Sequence, residues 1–306
     1  SILMEPCQRG RVAASAGDHS RFSLVHREVG ILVISGSKVR WARRKTAQEK
    51  GIGNMVGTGD IGIERHGHVV VAELRRPPHN FFDIRLLTEL ADQFDRLAAD
   101  PSCRAVVLAS QGKAFCAGAQ LGEKKNSSAG DVYQQARRLF AFPKPVVVAV
   151  QGAAVGGGLG LAMVGDFRCV CPEARFSANF TALGFHPGFG LTETLPRVIG
   201  RQHASLMFLT SRRVKGEEAH AMGLADVLVQ QPDLRGAALG LAGEIAAQAP
   251  LGVVETRATL RLGLEEAIDQ ALKRELEIQL RLRETQDFAE GVAAVGDRRV
   301  PEFRGQ

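Results

Sequence analysis

The stretch that most restricts what this chain can fold into is the apolar run Val146 to Val150 followed by Gln151-Gly152-Ala153-Ala154-Val155-Gly156-Gly157-Gly158-Leu159-Gly160. The run is rich in β-branched residues and too short to cross a membrane, so it predicts a buried strand that turns into a helix at the glycines. Glycine permits left-handed or tight backbone and lets another molecule approach the chain closely. A helix beginning there aims free backbone N–H groups, with the positive end of its dipole behind them, at whatever approaches. These residues alone define an anion site and leave the anion open.

Around this stretch the pattern alternates. Val69 to Leu74 reads as a strand and Arg75-Arg76-Pro77-Pro78 as a loop. From about Asp83 to Ala99, Leu86, Leu87, Leu90, Phe94 and Leu97 recur at helical spacing. Ala105 to Ala109 reads as a strand and Val132 to Phe140 as a helix. Strands alternating with helices imply a sheet covered by helices, an α/β architecture. Beyond Gly200 the signal is helical: Gln202 to Thr210, Gly216 to Met222, Leu234 to Gln248, and a long polar-faced helix near Leu264 to Gln286. That last helix suggests packing against a partner subunit. The division expected is a basic extension over 1–54, a core over 55–248 and a helical region over 249–306.

The net charge of +6 is confined to the extension. Residues 1–54 carry ten Lys or Arg against four Asp or Glu, and the remainder balances at 29 of each. The body therefore lacks the charge of a nucleic-acid binder. No run reaches the roughly twenty apolar residues of a membrane span. Five cysteines, Cys7, Cys103, Cys116, Cys169 and Cys171, form neither a CxxC pair nor a metal-ligand spacing. They read as reduced thiols of a cytoplasmic protein, with no metal site. Gly57-Thr58-Gly59-Asp60-Ile61-Gly62 matches GxGxxG literally. A dinucleotide fingerprint needs a strand before it and a helix after it; here a strand follows, so the match is read as chance.

Residues Ala105 to Gly122 read Ala-Val-Val-Leu-Ala-Ser-Gln-Gly-Lys-Ala-Phe-Cys-Ala-Gly-Ala-Gln-Leu-Gly. With Lys144-Pro145, the glycine run, and the tail segments Asp287 to Ala294 and Arg299 to Phe303, this resembles the crotonase, or enoyl-CoA hydratase/isomerase, family. The resemblance spans roughly Ile63 to Gly305. It implies a repeated ββα spiral core with a C-terminal helical oligomerisation region, a trimer or hexamer, and an acyl-coenzyme A thioester as substrate with no permanently bound cofactor.

By position, the family's oxyanion hole maps to the backbone N–H groups of Ala119 and Gly157. That suits the glycine run, because an enolate needs preorganised donors where charge develops, each worth about 3 kcal/mol of barrier. The main chain around Ala117, Gly118, Gln120, Leu121 and Gly122 is expected to meet coenzyme A. Arg298 stands where the family places a lysine that reaches the nucleotide phosphates of a neighbouring subunit, and Arg299 adds to the positive charge; a solvated pair of arginines is the alternative.

The two glutamates of the family's hydratases fall at Gly160 and Phe180, so both carboxylates are missing from this sequence. General acid–base addition of water then lacks its proton carriers. The later acid used by related dehalogenases and dienoyl isomerases falls at Gly188. His186, in Gly184-Phe185-His186-Pro187-Gly188-Phe189-Gly190, is the candidate acid/base, with a capping or packing role as the alternative. Glu123 and Glu193 are weaker candidates, Tyr133 reads as core, and Asp166 as a structural acid. Two classes follow: an acyl-CoA enzyme of this family whose reaction is not standard hydration, or a non-catalytic acyl-CoA-binding protein.

Overall fold

The structure, a computed structural model, describes residues 59–119 and 129–306 throughout, and two strand segments nearer the start. The chain divides into two compact units, 1–50 and 51–306. In the first, β1 (Ile31–Ser35) and β2 (Lys38–Ala42) pair antiparallel, with Ile31 opposite Ala42 and Ser35 opposite Lys38.

The second unit is built on β3 (Ile61–His66), β4 (Val69–Leu74), β5 (Ala105–Ser110), β6 (Val146–Val150), β8 (Phe167–Val170) and β11 (Val227–Leu228). These form one sheet in the order β11-β8-β6-β5-β4-β3. Only the β3–β4 pair is antiparallel. Strand residues alternate between two cores because successive side chains point to opposite faces. Val70, Ala72, Leu74, Val106, Leu108, Val146, Val148 and Val150 enter one core. Val69, Val71, Ala105, Val107, Ala109, Val147 and Ala149 enter the other. Burial on both faces explains why these strands read as continuous apolar runs.

The second core is closed by α6 (Leu234–Ala246), which presents Leu234, Ala238, Ala242 and Ala246 at four-residue spacing. The first core is covered by α1 (Ile84–Ala99) and α2 (Ala129–Phe140). The α1 face is the one predicted: Leu86, Leu87, Leu90, Phe94 and Leu97 are buried, and Ala91 joins them. Asp83 caps it, its Oδ1 accepting the Leu86 N–H at 2.8 Å, and the Lys144 ammonium donates to the Leu97 and Asp100 carbonyls at its other end.

A smaller sheet, in the order β10-β9-β7, holds β7 (Ala153–Val155), β9 (Arg175–Ser177) and β10 (Arg213–Lys215). Isolated bridges extend it: Cys116 pairs with Ala154 and Phe82 with Ala119. The chain thus repeats one unit, in which a strand of the large sheet leads to a short pairing in the small one and then to a helix. The run β6, β7, α3 (Gly157–Ala162) is one copy, and β8, β9, α4 (Leu191–Thr210) is the next. This is the mixed α/β, repeated ββα core expected, followed by a C-terminal helical region.

The repeat corrects one expectation. The strand Val146–Val150 does not run into the glycine helix; β7 stands between them, and α3 is only six residues long. Position 152 has to be glycine for this turn, since a Cβ there would overlap the Lys113 carbonyl. The helix predicted from Gln202 starts at Leu191 instead and is broken at Gly200, whose φ of 76° and ψ of 158° are not helical. Then follow α5 (Gly216–Ala221), α7 (Pro250–Leu260), α8 (Leu264–Leu282) and α9 (Gln286–Asp297). Helix α8 packs on α2 and α4. Among the described residues no single helix is long and apolar enough to cross a membrane.

Candidate active site

Three loops converge at the start of α3. The loop after β5 is laced to the glycine stretch by the Cys116 N–H to the Ala153 carbonyl and the Val155 N–H to the Cys116 carbonyl, both 3.0 Å. The loop after β4 joins from the other side: the Ala117 N–H donates to the His79 carbonyl (2.9 Å), and the Phe82 N–H to the Gly118 carbonyl (3.0 Å). Asn80 locks these two loops together. Fully buried and at φ 49°, it accepts the Arg76 N–H on Oδ1 and donates from Nδ2 to the carbonyls of Gln111 (2.7 Å) and Ala114 (2.8 Å).

Two glycines are required by this convergence. Gly118 has φ 96°, and a Cβ on it would lie 2.8 Å from the Val155 carbonyl oxygen and 3.7 Å from the Gly157 nitrogen. A Cβ on Gly158 would lie 2.7 Å from the Cys116 carbonyl carbon and closer still to its oxygen. The loops therefore touch backbone to backbone, which brings Ala119 and Gly157 to the same corner. Ala119 is exposed and Gly157 half-buried. Neither amide N–H has an acceptor among the described residues. Gly157 opens a helix, so the local dipole favours a negative atom there.

The positions that carry no acid are filled by other side chains. A Cβ on Gly160 would lie 2.6 Å from Phe189 Cβ and 2.8 Å from its Cδ1. The Phe189 ring also meets those of Phe82, tilted, and Phe140, edge-on, at centroid distances of 5.6 and 6.3 Å. Phe180 is buried against Phe185. A Cβ on Gly188 would come 2.5 Å from Gln279 Nε2 and closer still to the Tyr133 hydroxyl. Tyr133 is buried and donates from its hydroxyl to Gln279 Oε1 (2.9 Å), while Gln279 Nε2 donates to the His186 carbonyl (2.7 Å). Burial, then the neighbouring Glu275, push the phenol up, so it stays protonated.

Glu275 is fully buried on α8 beneath this loop. Its carboxylate oxygens accept the Gly190 N–H (2.7 Å), the Thr192 N–H (2.9 Å) and the Thr192 hydroxyl (2.6 Å) at the start of α4. Burial pushes its pKa up to about 7, against the lowering effect of those hydrogen bonds. Sequence reading missed Glu275 and Gln279, which are hidden among the charged residues of a polar-faced helix. It also missed Phe189, for which a bulky residue between two glycines was the available signal.

The predicted site residues fare differently. Ala117, Gly118, Ala119 and Gly157 come together as described. Gln120, Leu121, Gly122 and Glu123 lie outside the described residues. His186 is half-buried, with Nδ1 2.7 Å from the Pro187 carbonyl; desolvation lowers its pKa, and so does Arg274 on α8. The ring is thus neutral at pH 7. Arg298 is exposed in left-handed backbone (φ 56°) just after α9. Arg299 pairs with Glu290 (2.5 Å) and Asp297 (3.5 Å). Glu193 pairs with Arg197 one turn along α4. Asp166 is structural, accepting the Val146 N–H and the Arg257 guanidinium, each at 2.9 Å. Cys103, Cys116, Cys169 and Cys171 are buried free thiols, and desolvation raises all four. Cys7 and the first residues of the GxGxxG match lie outside the described residues; the last two residues of the match already belong to a strand, β3, and a second strand, β4, follows.

The profile of the enoyl-CoA hydratase/isomerase family matches residues 64–306. The chain belongs to this family. Among curated relatives of this crotonase-superfamily enzyme, a crotonyl-CoA hydratase of Syntrophomonas wolfei is 32% identical over 253 residues, 80% of this chain and 97% of that one. A 1,2-epoxyphenylacetyl-CoA isomerase of Escherichia coli is 30% identical over 250 residues, 78% of this chain and 95% of that one. Among solved structures, an enoyl-CoA hydratase/isomerase from Pseudoalteromonas atlantica superposes with a TM-score of 0.76 at 29% identity, covering 80% of this chain and all of that one. Its relatives thus include both hydratases and an isomerase, and membership alone leaves the reaction open.

Proposed function

We propose that this enoyl-CoA hydratase/isomerase-family enzyme binds an acyl-CoA thioester with its carbonyl oxygen on the amides of Ala119 and Gly157, stabilises the derived enolate there, and catalyses a reaction other than addition of water. The observation that supports this is the pair of N–H groups without an acceptor among the described residues where the loops meet, packed so closely that a Cβ on Gly118 would lie 3.7 Å from the Gly157 nitrogen. Such preorganised donors stabilise charge that develops on a thioester oxygen. No carboxylate stands at positions 160, 180 or 188, where the family's acids fall, and aromatic or amide groups fill the adjoining space. General acid–base delivery of water therefore has no obvious agent.

His186 is the acid/base candidate in this reading. Its Nδ1 faces the Pro187 carbonyl, so the tautomer with Nδ1 protonated leaves Nε2 free to accept a proton. Arg298, the exposed cation beyond α9, is assigned to the phosphates of coenzyme A, and no bound cofactor or metal is invoked. Self-association into a trimer or hexamer is proposed through the C-terminal helices, where Leu251, Leu260 and Leu262 are exposed.

The test is a panel of acyl-CoA thioesters incubated with the full chain and analysed by mass spectrometry. Products isomeric with their substrates are expected, with little hydration of crotonyl-CoA. Crotonyl-CoA turnover at rates usual for a dedicated hydratase refutes the proposal. A second reading, an acyl-CoA-binding protein without catalysis, rests on the same missing acids; retained affinity with no turnover across the panel would favour it.

A further inference from the structure

Phe189 is the residue whose placement the family resemblance does not explain. It sits at φ 62° between Gly188 and Gly190, itself at φ 72°, so a bulky residue is held in left-handed backbone. Non-glycine residues avoid that region at a cost of roughly 1–2 kcal/mol, and strain of this kind persists where the surroundings enforce it. Here they do. The Glu275 carboxylate fixes the following amide, that of Gly190. The Tyr133–Gln279 pair fills the space beside Gly188 and ties to the His186 carbonyl.

The result is an aromatic ring, 3% exposed, standing over Gly160 and touching the volume above Gly157. A Cβ on Gly157 would lie 2.5 Å from Phe82 Cζ and 3.7 Å from Phe189 Cδ2, and one on Gly156 3.8 Å from Phe180 Cζ. Three rings therefore surround Gly156 and Gly157 at the start of α3, and Phe82 also pairs with Ala119. A side chain of any length at position 160 must displace Phe189.

Resting on the acyl-CoA reading above, we propose that Phe189 determines which reaction the site performs: its ring occupies the volume that an acid at position 160 would use and presents an aromatic wall to the carbons next to the thioester. The site then selects apolar, flat acyl groups and withholds from them both a carboxylate and the water it would deliver.

The experiment compares wild type, Gly160→Glu, Phe189→Gly and the double variant Gly160→Glu/Phe189→Gly. Each is measured for thermal stability, for butyryl-CoA binding by calorimetry, and for deuterium entry at the butyryl α-carbon in D2O by mass spectrometry. In the double variant the introduced carboxylate takes the α-proton, the C–H electron pair moves into the thioester enolate, and the carboxylic acid, exchanged with solvent, returns a deuteron to the same carbon. Nothing is oxidised or reduced. Gly160→Glu alone is expected to be the least stable. The double variant is expected to recover stability and to exchange about 100-fold faster than either single variant, the range of a positioned acid–base.

As a second measurement that does not depend on that variant folding, Phe189→Gly is assayed with added sodium acetate at constant ionic strength. Acetate entering the emptied space is expected to accelerate exchange in Phe189→Gly and leave wild type unchanged. Exchange by Gly160→Glu equal to that of the double variant overturns the proposal, as does an acetate response absent from Phe189→Gly while butyryl-CoA still binds. If wild type itself fails to bind butyryl-CoA or any longer or aromatic thioester, the acyl-CoA reading falls and the proposal with it.

Discussion

Gly158→Ala is the substitution that most directly tests whether backbone contact between the two loops creates the site. The added methyl would lie 2.7 Å from the Cys116 carbonyl carbon and nearer to its oxygen, where ordinary contact begins at 3.4 Å. The obstacle is backbone, held by the Cys116 N–H to Ala153 and by the Val155 N–H to that same Cys116 carbonyl, so it cannot swing aside like a side chain. The oxygen, the nearer atom, sets the limit, so the loops must separate by about 1.4 Å to reach ordinary contact, at a stability cost of roughly 1–3 kcal/mol for overpacking. That displacement moves the Gly157 amide relative to Ala119. Misplacing one donor of a pair by about an ångström costs about 3 kcal/mol of transition-state stabilisation, roughly 100-fold in rate. The assay is difference infrared spectroscopy of a thioester labelled with carbon-13 at its carbonyl, alongside calorimetric affinity. Wild type should shift the carbonyl band to lower frequency on binding, and Gly158→Ala should lose most of that shift while still binding coenzyme A itself. An unchanged band shift in a folded Gly158→Ala protein would refute the assignment of the Ala119 and Gly157 amides.

Three further outcomes follow from the geometry. Glu275 has a folded pKa near 7 against 4.5 when free, so between those values the unfolded chain has released a proton that the folded chain keeps. The folded state therefore loses about 3 kcal/mol as pH rises through that window. Urea titrations at pH 5 and pH 8 should show a stability difference between wild type and Glu275→Gln that moves by about this amount in favour of the variant at the higher pH; a pH-independent difference would acquit Glu275. Asn80→Ala removes three hydrogen bonds, one buried and two partly buried, and leaves φ 49° to a residue that avoids it, so a loss of about 3 kcal/mol is expected in chemical denaturation, together with weaker thioester binding. Arg298→Ala should leave stability within about 0.5 kcal/mol, because the side chain is exposed, and should weaken coenzyme A binding in a way that added salt diminishes; binding equal to wild type would remove Arg298 from the site.

Much of the large sheet was legible because its strands announce themselves. Val69 to Leu74 and Val146 to Val150 are apolar at every position but Glu73, as strands buried on both faces must be. Helix α1 was legible from its leucine spacing. The short strands β7, β9 and β10, three residues each, leave no periodicity to read, and Gly200 hid the first half of α4. At the site, the glycine run could be picked out by residue type, because only glycine serves where backbone meets backbone, whereas the Ala117 to Ala119 loop came from the family resemblance.

By itself the sequence determined the α/β class, the family resemblance, the glycines that must line a close approach, and the positions 160, 180 and 188 that carry no acid. It did not show what surrounds those positions. That was decided by tertiary contacts across long separations: Phe189 over Gly160, Tyr133 and Gln279 beside Gly188, and Glu275 anchoring Gly190 from a helix 85 residues away. Local patterns register only what a residue does to its neighbours in the chain. Whether the space above a glycine is open or already occupied is settled by what the fold brings to it.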